Sequence, residues 1–301
     1  MGEDGSKMEI LPFELQDSIL RDLDSITDIK ATRLLNRHFH ELATPHLFRR
    51  IFLTVRTDSF ERLNQICSST LSQYVRCLHY NIWEVPLILE REWNQGLARL
   101  AWKGKHIRLG HLPRYQEYYN SFSGQVHHHE HSLLVKAFRR LPALQSLEIS
   151  ESEPSCLSSE AGQHMDLAHA ITAATCSRDH TPRDRTSAMS GKVSRALTVI
   201  LAHGEATNAS LESLRLQGFR WPWLDMRDVR MWHGDSILNG ALKNLRWLAI
   251  SVAEAGRSGA NGILADIPDP AAAVEVWKGL IGRAEGLKRI EVSLEDCTVM
   301  A

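Results

Sequence analysis

The sequence predicts an α/β protein in which a small helical module precedes a series of alternating helices and parallel strands. Three observations predict this fold. The first 53 residues follow a helical pattern, a phrase of the form apolar-x-x-apolar-x-apolar then occurs five times, and a helix-like run precedes each occurrence. Helix and strand in alternation give parallel strands joined by right-handed helical crossovers. Each such unit has an apolar face that it cannot bury alone, so we expect the units to stack.

Length, charge and cysteine content narrow the class of protein. The chain has 301 residues and is 43% apolar, enough for a small module and a larger domain. Its formal charge of -1 gives no reason to expect a nucleic acid or a membrane as partner. The cysteines are odd in number and no two are spaced Cys-x-x-Cys, which favours reduced thiols and a cytoplasmic or nuclear location; they are Cys67, Cys77, Cys156, Cys176 and Cys297.

The first predicted helix begins near Pro12, a residue that suits the first helical position because its missing N–H would have no partner there. Glu14 follows in the first turn, where a carboxylate meets the positive end of the helix dipole. Leu15, Ile19 and Leu23 recur at four-residue intervals. This spacing predicts one apolar face on the helix.

A second helix is predicted from Ile26 to Ala43, with Ser25 as its N-cap and Pro45 ending it. Its apolar residues form two stripes, one of Ile29, Leu35, Phe39 and Leu42 and the other of Ala31, Leu34 and His38. A helix with two apolar stripes must be covered on both sides. One side can pack on the module's own core, and the other needs either the rest of this chain or another protein.

Residues 10–53 resemble an F-box, particularly the fungal kind. The resemblance rests on the run "LPFELQDSILRDLDSITDIKATRLLNRHFHELATPHLFRRIFL". It opens with Leu-Pro and Glu-Leu, continues with Ile-Leu and Leu at the family's usual spacing, and closes with a common fungal ending. The stretch Leu-Leu-Asn-Arg-His-Phe lies where the family typically reads Leu-Val-Cys/Asn-Arg-x-Phe/Trp. Asn36 stands where many animal members have cysteine.

The resemblance implies a module that docks on the Skp-type adaptor of a cullin–RING ubiquitin ligase. The adaptor would then cover the apolar side chains of this segment that its own small core does not bury. Carried over by position, the docking contacts are Leu11, Pro12, Ile19, Leu20, Leu34, Leu35 and Asn36.

The five repeated phrases resemble the strand signature of leucine-rich repeats. They read "VRCLHY", "LQSLEI", "LESLRL", "LRWLAI" and "LKRIEV", and their starts are 69, 67, 34 and 42 residues apart. Regular repeats run about 20–29 residues, so an irregular leucine-rich-repeat-like solenoid of strand–helix units is predicted. The run "RRIFLTV" is a candidate first strand. A closed or doubly wound α/β domain is the alternative.

The predicted domain order is a disordered tail at 1–9, the F-box-like module at 10–53 and the repeat-like domain at 54–301. Two insertions interrupt the last domain, near 81–130 and at 151–193. The first is rich in tryptophan and tyrosine, which either pack it onto the repeats or form a recognition surface; burial is the commoner role of such rings. The second is rich in serine, threonine and charge and reads as a mobile loop around one short helix.

No group of residues in the sequence predicts catalysis or a cofactor. The run "HHHEH", His127 to His131, cannot direct all its histidines at one ion from a regular element, so no metal site is expected. Cys77 and His79 lie two apart in a strand phrase, on the side opposite Leu78, and are predicted to pack rather than to form a catalytic pair. We therefore expect a protein that is not an enzyme and holds no cofactor.

Two functions remain for the whole chain. In the first, the chain is a substrate-recognition adaptor that tethers an unknown protein substrate near the ligase's ubiquitin carrier and so raises its effective concentration there. In the second, the chain is a scaffold whose N-terminal helices only cap the solenoid, with Leu34 and Leu35 packed inward on the first repeat.

Overall fold

The computed structural model describes residues 11–23, 25–82, 126–150, 198–206, 211–220, 236–253 and 284–295, together with 93–96, 98, 113, 116, 195–196 and 281–282. This part of the chain is a mixed α/β structure with a six-stranded parallel sheet. Within these residues, every helix is too short or too polar to cross a bilayer.

Three helices form the N-terminal module: α1 (Phe13–Arg21), α2 (Ile26–Arg33) and α3 (Arg37–Phe48). The single helix predicted from 26 to 43 is two helices, because Asn36 is extended and its side-chain oxygen accepts a hydrogen bond from the Phe39 N–H at 2.9 Å. That contact is an N-cap, which starts a new helix.

Pro45 lies inside α3, so the prediction that it ends the helix was wrong. A proline in a helix interior removes one backbone hydrogen bond. Leu42 and Ala43 before it are buried, and Leu47 after it packs on the same core. Apolar packing on both sides of Pro45 therefore holds the helix together through the missing bond.

The remaining elements alternate between helix and strand. Every repeated phrase forms a strand, and "RRIFLTV" supplies the first, as predicted from the sequence. The elements are β1 (Arg50–Thr54), α4 (Thr57–Cys67), a 3-10 helix (Thr70–Tyr74), β2 (Cys77–Asn81), α5 (Val126–Phe138), β3 (Ser146–Ser150), β4 (Ser213–Arg220), α6 (Ser236–Leu242), β5 (Trp247–Ala253) and β6 (Arg289–Glu295). Residues 198–206, between β3 and β4, are also helical.

The strands lie in the sheet in the same order as in the sequence, β1-β2-β3-β4-β5-β6, and every pair is parallel. A doubly wound sheet reverses its strand order at a switch point. The described strands contain no such reversal, and β1 and β6 each have one neighbour. As far as the structure describes it, the sheet is therefore open and adds one strand at a time along the chain.

The core of this sheet domain lies on one face of the sheet. Leu78, Leu147, Leu214 and Leu248 stand opposite one another on adjacent strands and are all buried. Buried residues of α4, α5, the helical residues 198–206 and α6 belong to the same cluster. Side chains alternate between the two faces of a strand. The residues directly before and after each of these leucines in its strand therefore point away from the helices.

The helical module has a separate small core of Leu20, Ile29, Phe39, Leu42 and Ala43. Polar contacts reinforce it: His38 Nε2 lies 2.7 Å from Gln16 Oε1, and His46 Nε2 lies 2.7 Å from Asp17 Oδ1. Because β1 pairs with β2, residues 50–54 belong to the sheet, and the module as described ends at Phe48.

The predicted tail at 1–9 and the loop at 151–193 lie outside the described residues. So does most of the aromatic insertion near 81–130, except for the end of β2, the start of α5 and a few residues between them. Trp93 is one of these, and it is buried.

Candidate partner-binding surface

Exposed apolar side chains are concentrated in the helical module. Of the eleven large hydrophobic residues that are exposed in the described part of the chain, six lie between residues 13 and 35. We call these six the apolar docking surface; they are Phe13, Leu15, Ile19, Ile26, Leu34 and Leu35. Single exposed leucines are ordinary on protein surfaces, but a concentration of them in one small module indicates a surface that binds another molecule.

Helix α1 turns its leucine–isoleucine stripe toward solvent. Leu15 and Ile19, four residues apart, are exposed, whereas Gln16 and Leu20 are buried. Both polar atoms of the buried Gln16 side chain have hydrogen-bond partners, because its Nε2 donates to the Leu11 carbonyl at 2.8 Å and its Oε1 contacts His38. The helix therefore buries a mixed polar and apolar face and leaves its apolar stripe free.

The turn between α2 and α3 carries the most exposed pair. Leu34 is 85% exposed and Leu35 is 64% exposed. Both backbones are fixed, since the Leu34 and Leu35 N–H groups donate to the Ala31 and Thr32 carbonyls. Two apolar side chains are thus presented to solvent from an ordered turn. Neither side chain packs inward on the sheet, whereas the solenoid-cap hypothesis predicts that both do.

The structure places the seven docking residues carried over from the resemblance in different environments. Pro12, Ile19, Leu34, Leu35 and Asn36 are exposed, and Leu11 is half-buried. Leu20 differs from the other six, because it is 1% exposed and packs in the module's core. Its position four residues after the buried Gln16 puts it on the inner face of α1.

Three members of the apolar docking surface were not among the predicted contacts: Phe13, Leu15 and Ile26. The signal for Leu15 was present, because it shares a helical stripe with Ile19. Phe13 and Ile26 each begin a helix. Nothing in the periodicity distinguishes a first-turn residue that packs inward from one that faces solvent.

The sheet face opposite the helices carries polar side chains in rows across the strands. One row contains Phe52, His79, Glu148, Arg215, Ala249 and Glu291. Glu148 is buried and forms an ion pair with Arg50, and its Oε2 lies 3.8 Å from His79 Nδ1. His79 Nε2 lies 2.8 Å from Ser150 Oγ. This network links β1, β2 and β3 through their side chains.

The geometry around Cys77 does not favour a nucleophile. Burial, with a smaller contribution from the nearby Glu148, raises the pKa of the Cys77 thiol to about 11. Burial also lowers the pKa of His79. A thiol with a raised pKa stays protonated at neutral pH, whereas a reactive cysteine needs a lowered one.

The histidine-rich run lies at the start of α5, and its one glutamate has a structural role. Glu130 is buried; Tyr80 Oη donates to its Oε1 at 2.6 Å, and Arg195 Nε donates to its Oε2 at 2.5 Å. His129 faces solvent, and His131 lies 3.4 Å from Glu205. Among the described residues, no three histidine, cysteine or carboxylate side chains are grouped to hold a metal ion.

The clearest candidate for function is therefore a surface for a protein partner, formed by exposed apolar residues on an ordered helical module. Comparisons of the chain with models of protein families, with curated proteins and with solved structures found no match.

Proposed function

We propose that this chain is the substrate-recognition adaptor of a cullin–RING ubiquitin ligase of the SCF type. The helical module, as an F-box, docks on a Skp-type adaptor that joins it to the cullin scaffold. The sheet domain, an irregular leucine-rich-repeat-like solenoid, selects the protein to be ubiquitinated. One observation carries the proposal: the apolar docking surface places six exposed large hydrophobic residues within 23 positions of the segment that resembles an F-box.

Burial energy supports a protein partner for this surface. Covering one leucine, isoleucine or phenylalanine side chain is worth about 1.5–3 kcal/mol. Hot spots in protein interfaces are apolar residues that become fully buried near the centre of the contact. Leu34 and Leu35 meet that description best, since they are the most exposed of the six residues in α1, α2 and the following turn.

The sheet domain supports the second half of the proposal. Strands that add in sequence order, with helices before β2, β3, β4 and β5 whose buried residues share one core, are the architecture expected of stacked repeats. Stacked repeats present an extended surface of strand side chains, and here that face carries the polar rows. A protein substrate held on the repeats is brought close to the ubiquitin carrier, so the chain acts by proximity and performs no chemistry.

The test is the affinity of the full chain for a Skp-type adaptor, measured by calorimetry and by co-purification. Leu34→Ser with Leu35→Ser is expected to weaken binding about a hundredfold or more, because two buried leucines are lost from the interface. Circular dichroism checks that the variant is folded, which is expected because both side chains lie in solvent.

A matched control is Val292→Ser, which removes a 68% exposed apolar side chain from β6 instead. It is expected to bind the adaptor like the original chain. Unchanged binding by the Leu34/Leu35 variant, or no binding by the original chain, would reject the proposed role.

A further inference from the structure

A cleft of about 380 Å³ lies where the helical module meets the start of the sheet. Asp17 and Arg21 of α1 and His46 of α3 line it on one side. Tyr74 of the 3-10 helix and Arg76, just before β2, line it on the other, and Arg49 stands between α3 and β1. The size is within the range of small-molecule sites.

The charges in this cleft are unbalanced. Three arginines line it, against one carboxylate, that of Asp17. Both oxygens of that carboxylate are engaged: Oδ1 lies 2.7 Å from His46 Nε2, and Oδ2 accepts from Arg21 at 2.6 Å. The His46 contact lowers the pKa of Asp17, with help from Arg21. Asp17 is thus occupied and does not neutralise the other two arginines.

Arg49 and Arg76 are held close together by their backbones. The Arg76 N–H donates to the Arg49 carbonyl at 2.9 Å, and the Arg76 carbonyl accepts from the Ser146 N–H at 3.0 Å. They therefore occupy neighbouring positions of the parallel ladder, where adjacent chains lie about 4.8 Å apart. Within the described residues, neither guanidinium group has a side-chain hydrogen bond or an ion pair.

Arg49 and Arg76 are exposed and line the same cleft from adjacent backbone positions, and arginine binds phosphate through two parallel hydrogen bonds. We propose that this cleft binds a small anion carrying one or two phosphate groups, held by Arg49 and Arg76, with the Tyr74 hydroxyl as a further donor. A ligand there contacts both the helical module and the sheet domain, so its binding stabilises their packing.

This site is separate from the apolar docking surface. On α1, Asp17 and Arg21 lie on one side of the buried Gln16–Leu20 face, and Leu15 and Ile19 lie on the other. The proposal does not depend on a role in a ligase, because its test uses the chain alone.

The test is calorimetric titration of the full chain with pyrophosphate and, separately, with inorganic phosphate, at constant ionic strength set with chloride. We expect saturable binding at one site, with pyrophosphate tighter, and a matching rise in Tm. Arg49→Gln and Arg76→Gln are each expected to weaken binding about tenfold or more, since each removes a charged hydrogen-bond donor. Arg76→Lys keeps the charge without the fork and is expected to be intermediate.

Arg62→Gln is the control, because Arg62 is an exposed arginine of α4 that pairs with Asp58 away from the cleft. Its affinity for pyrophosphate is expected to equal that of the original chain. The proposal is overturned by the absence of saturable binding of either anion, or by equal affinities for the Arg49→Gln, Arg76→Gln and Arg62→Gln variants.

Discussion

The helical module and the sheet domain treat their apolar residues in opposite ways. Among the described residues, the sheet domain gathers 31 buried residues into one cluster, whereas the module has five in its core and exposes six large hydrophobic ones. A continuous core makes a domain stable by itself. The module, with a small core and an exposed apolar surface, would gain further burial if the proposed protein partner covered it.

Polar contacts also differ between the two regions. The module joins its helices through partly buried pairs such as His46–Asp17 and Arg33–Thr44. The sheet domain instead has a buried network in which Tyr80 and Arg195 both bond to Glu130. Burial raises the pKa of Tyr80 well above its usual value, so its hydroxyl stays a donor. A buried network is costly to break because each group left without its partner has lost its water.

The largest loss of stability is expected from Glu130→Gln, which disrupts the buried polar network of the sheet domain. Burial raises the pKa of Glu130 to about 7, so at pH 8.5 the substitution takes a charged carboxylate away from the buried Arg195 guanidinium, which costs about 3–5 kcal/mol of the free energy of unfolding. Urea unfolding measures it. Glu205→Gln is the control, since Glu205 is 43% exposed beside His131, and its loss is expected to cost less than about 1 kcal/mol. Similar losses from the two changes would contradict the structural role of Glu130.

Next in size is a matched pair of leucine substitutions. Leu147→Ala, at the centre of the sheet domain's core, is expected to lower the free energy of unfolding by about 2–5 kcal/mol because it leaves a cavity. Leu34→Ala, at the exposed turn of the module, is expected to change it by less than about 0.5 kcal/mol. Equal destabilisation in the free chain would mean that Leu34 is already buried, and the contrast between the two regions would fail.

The smallest loss of stability is expected from a substitution that tests Asn36 as the N-cap of α3. Asn36→Ala removes the N-cap of α3 and is expected to cost about 1 kcal/mol in thermal or urea unfolding. Asn36→Asp keeps a side-chain acceptor and is expected to retain most of the stability. If alanine and aspartate behave alike, the cap does not stabilise α3, and adaptor contact is the remaining role considered for this residue.

Local pattern predicted the secondary structure of the sheet domain well. Each phrase such as "LQSLEI" places its apolar residues at the spacing of a strand that buries one face, and each became a strand of the sheet, although Ile290 and Val292 of β6 are exposed. Helical periodicity predicted α2 and α3 as a single helix that ended before Pro45. Both errors arose because the cap made by Asn36 and the packing around Pro45 depend on contacts that periodicity does not encode.

The candidate site could be predicted only in part. Leu34 and Leu35 were expected from the family-like pattern, and both are exposed. Leu20, a predicted contact, is buried, and Phe13, which was not predicted, is exposed, because a helical stripe shows which residues share a face but not whether that face meets the core or solvent.

The sequence by itself determined where the strands lie, that they are parallel, and that the first fifty residues carry more apolar surface than a module of that size can bury. These properties follow from short-range spacing and composition. Only the tertiary structure decided which face of α1 turns inward, that Glu130 meets Tyr80 and Arg195, and that Arg49 and Arg76 stand side by side in one cleft. Those outcomes depend on residues distant in sequence, which become neighbours only when the helices and strands pack.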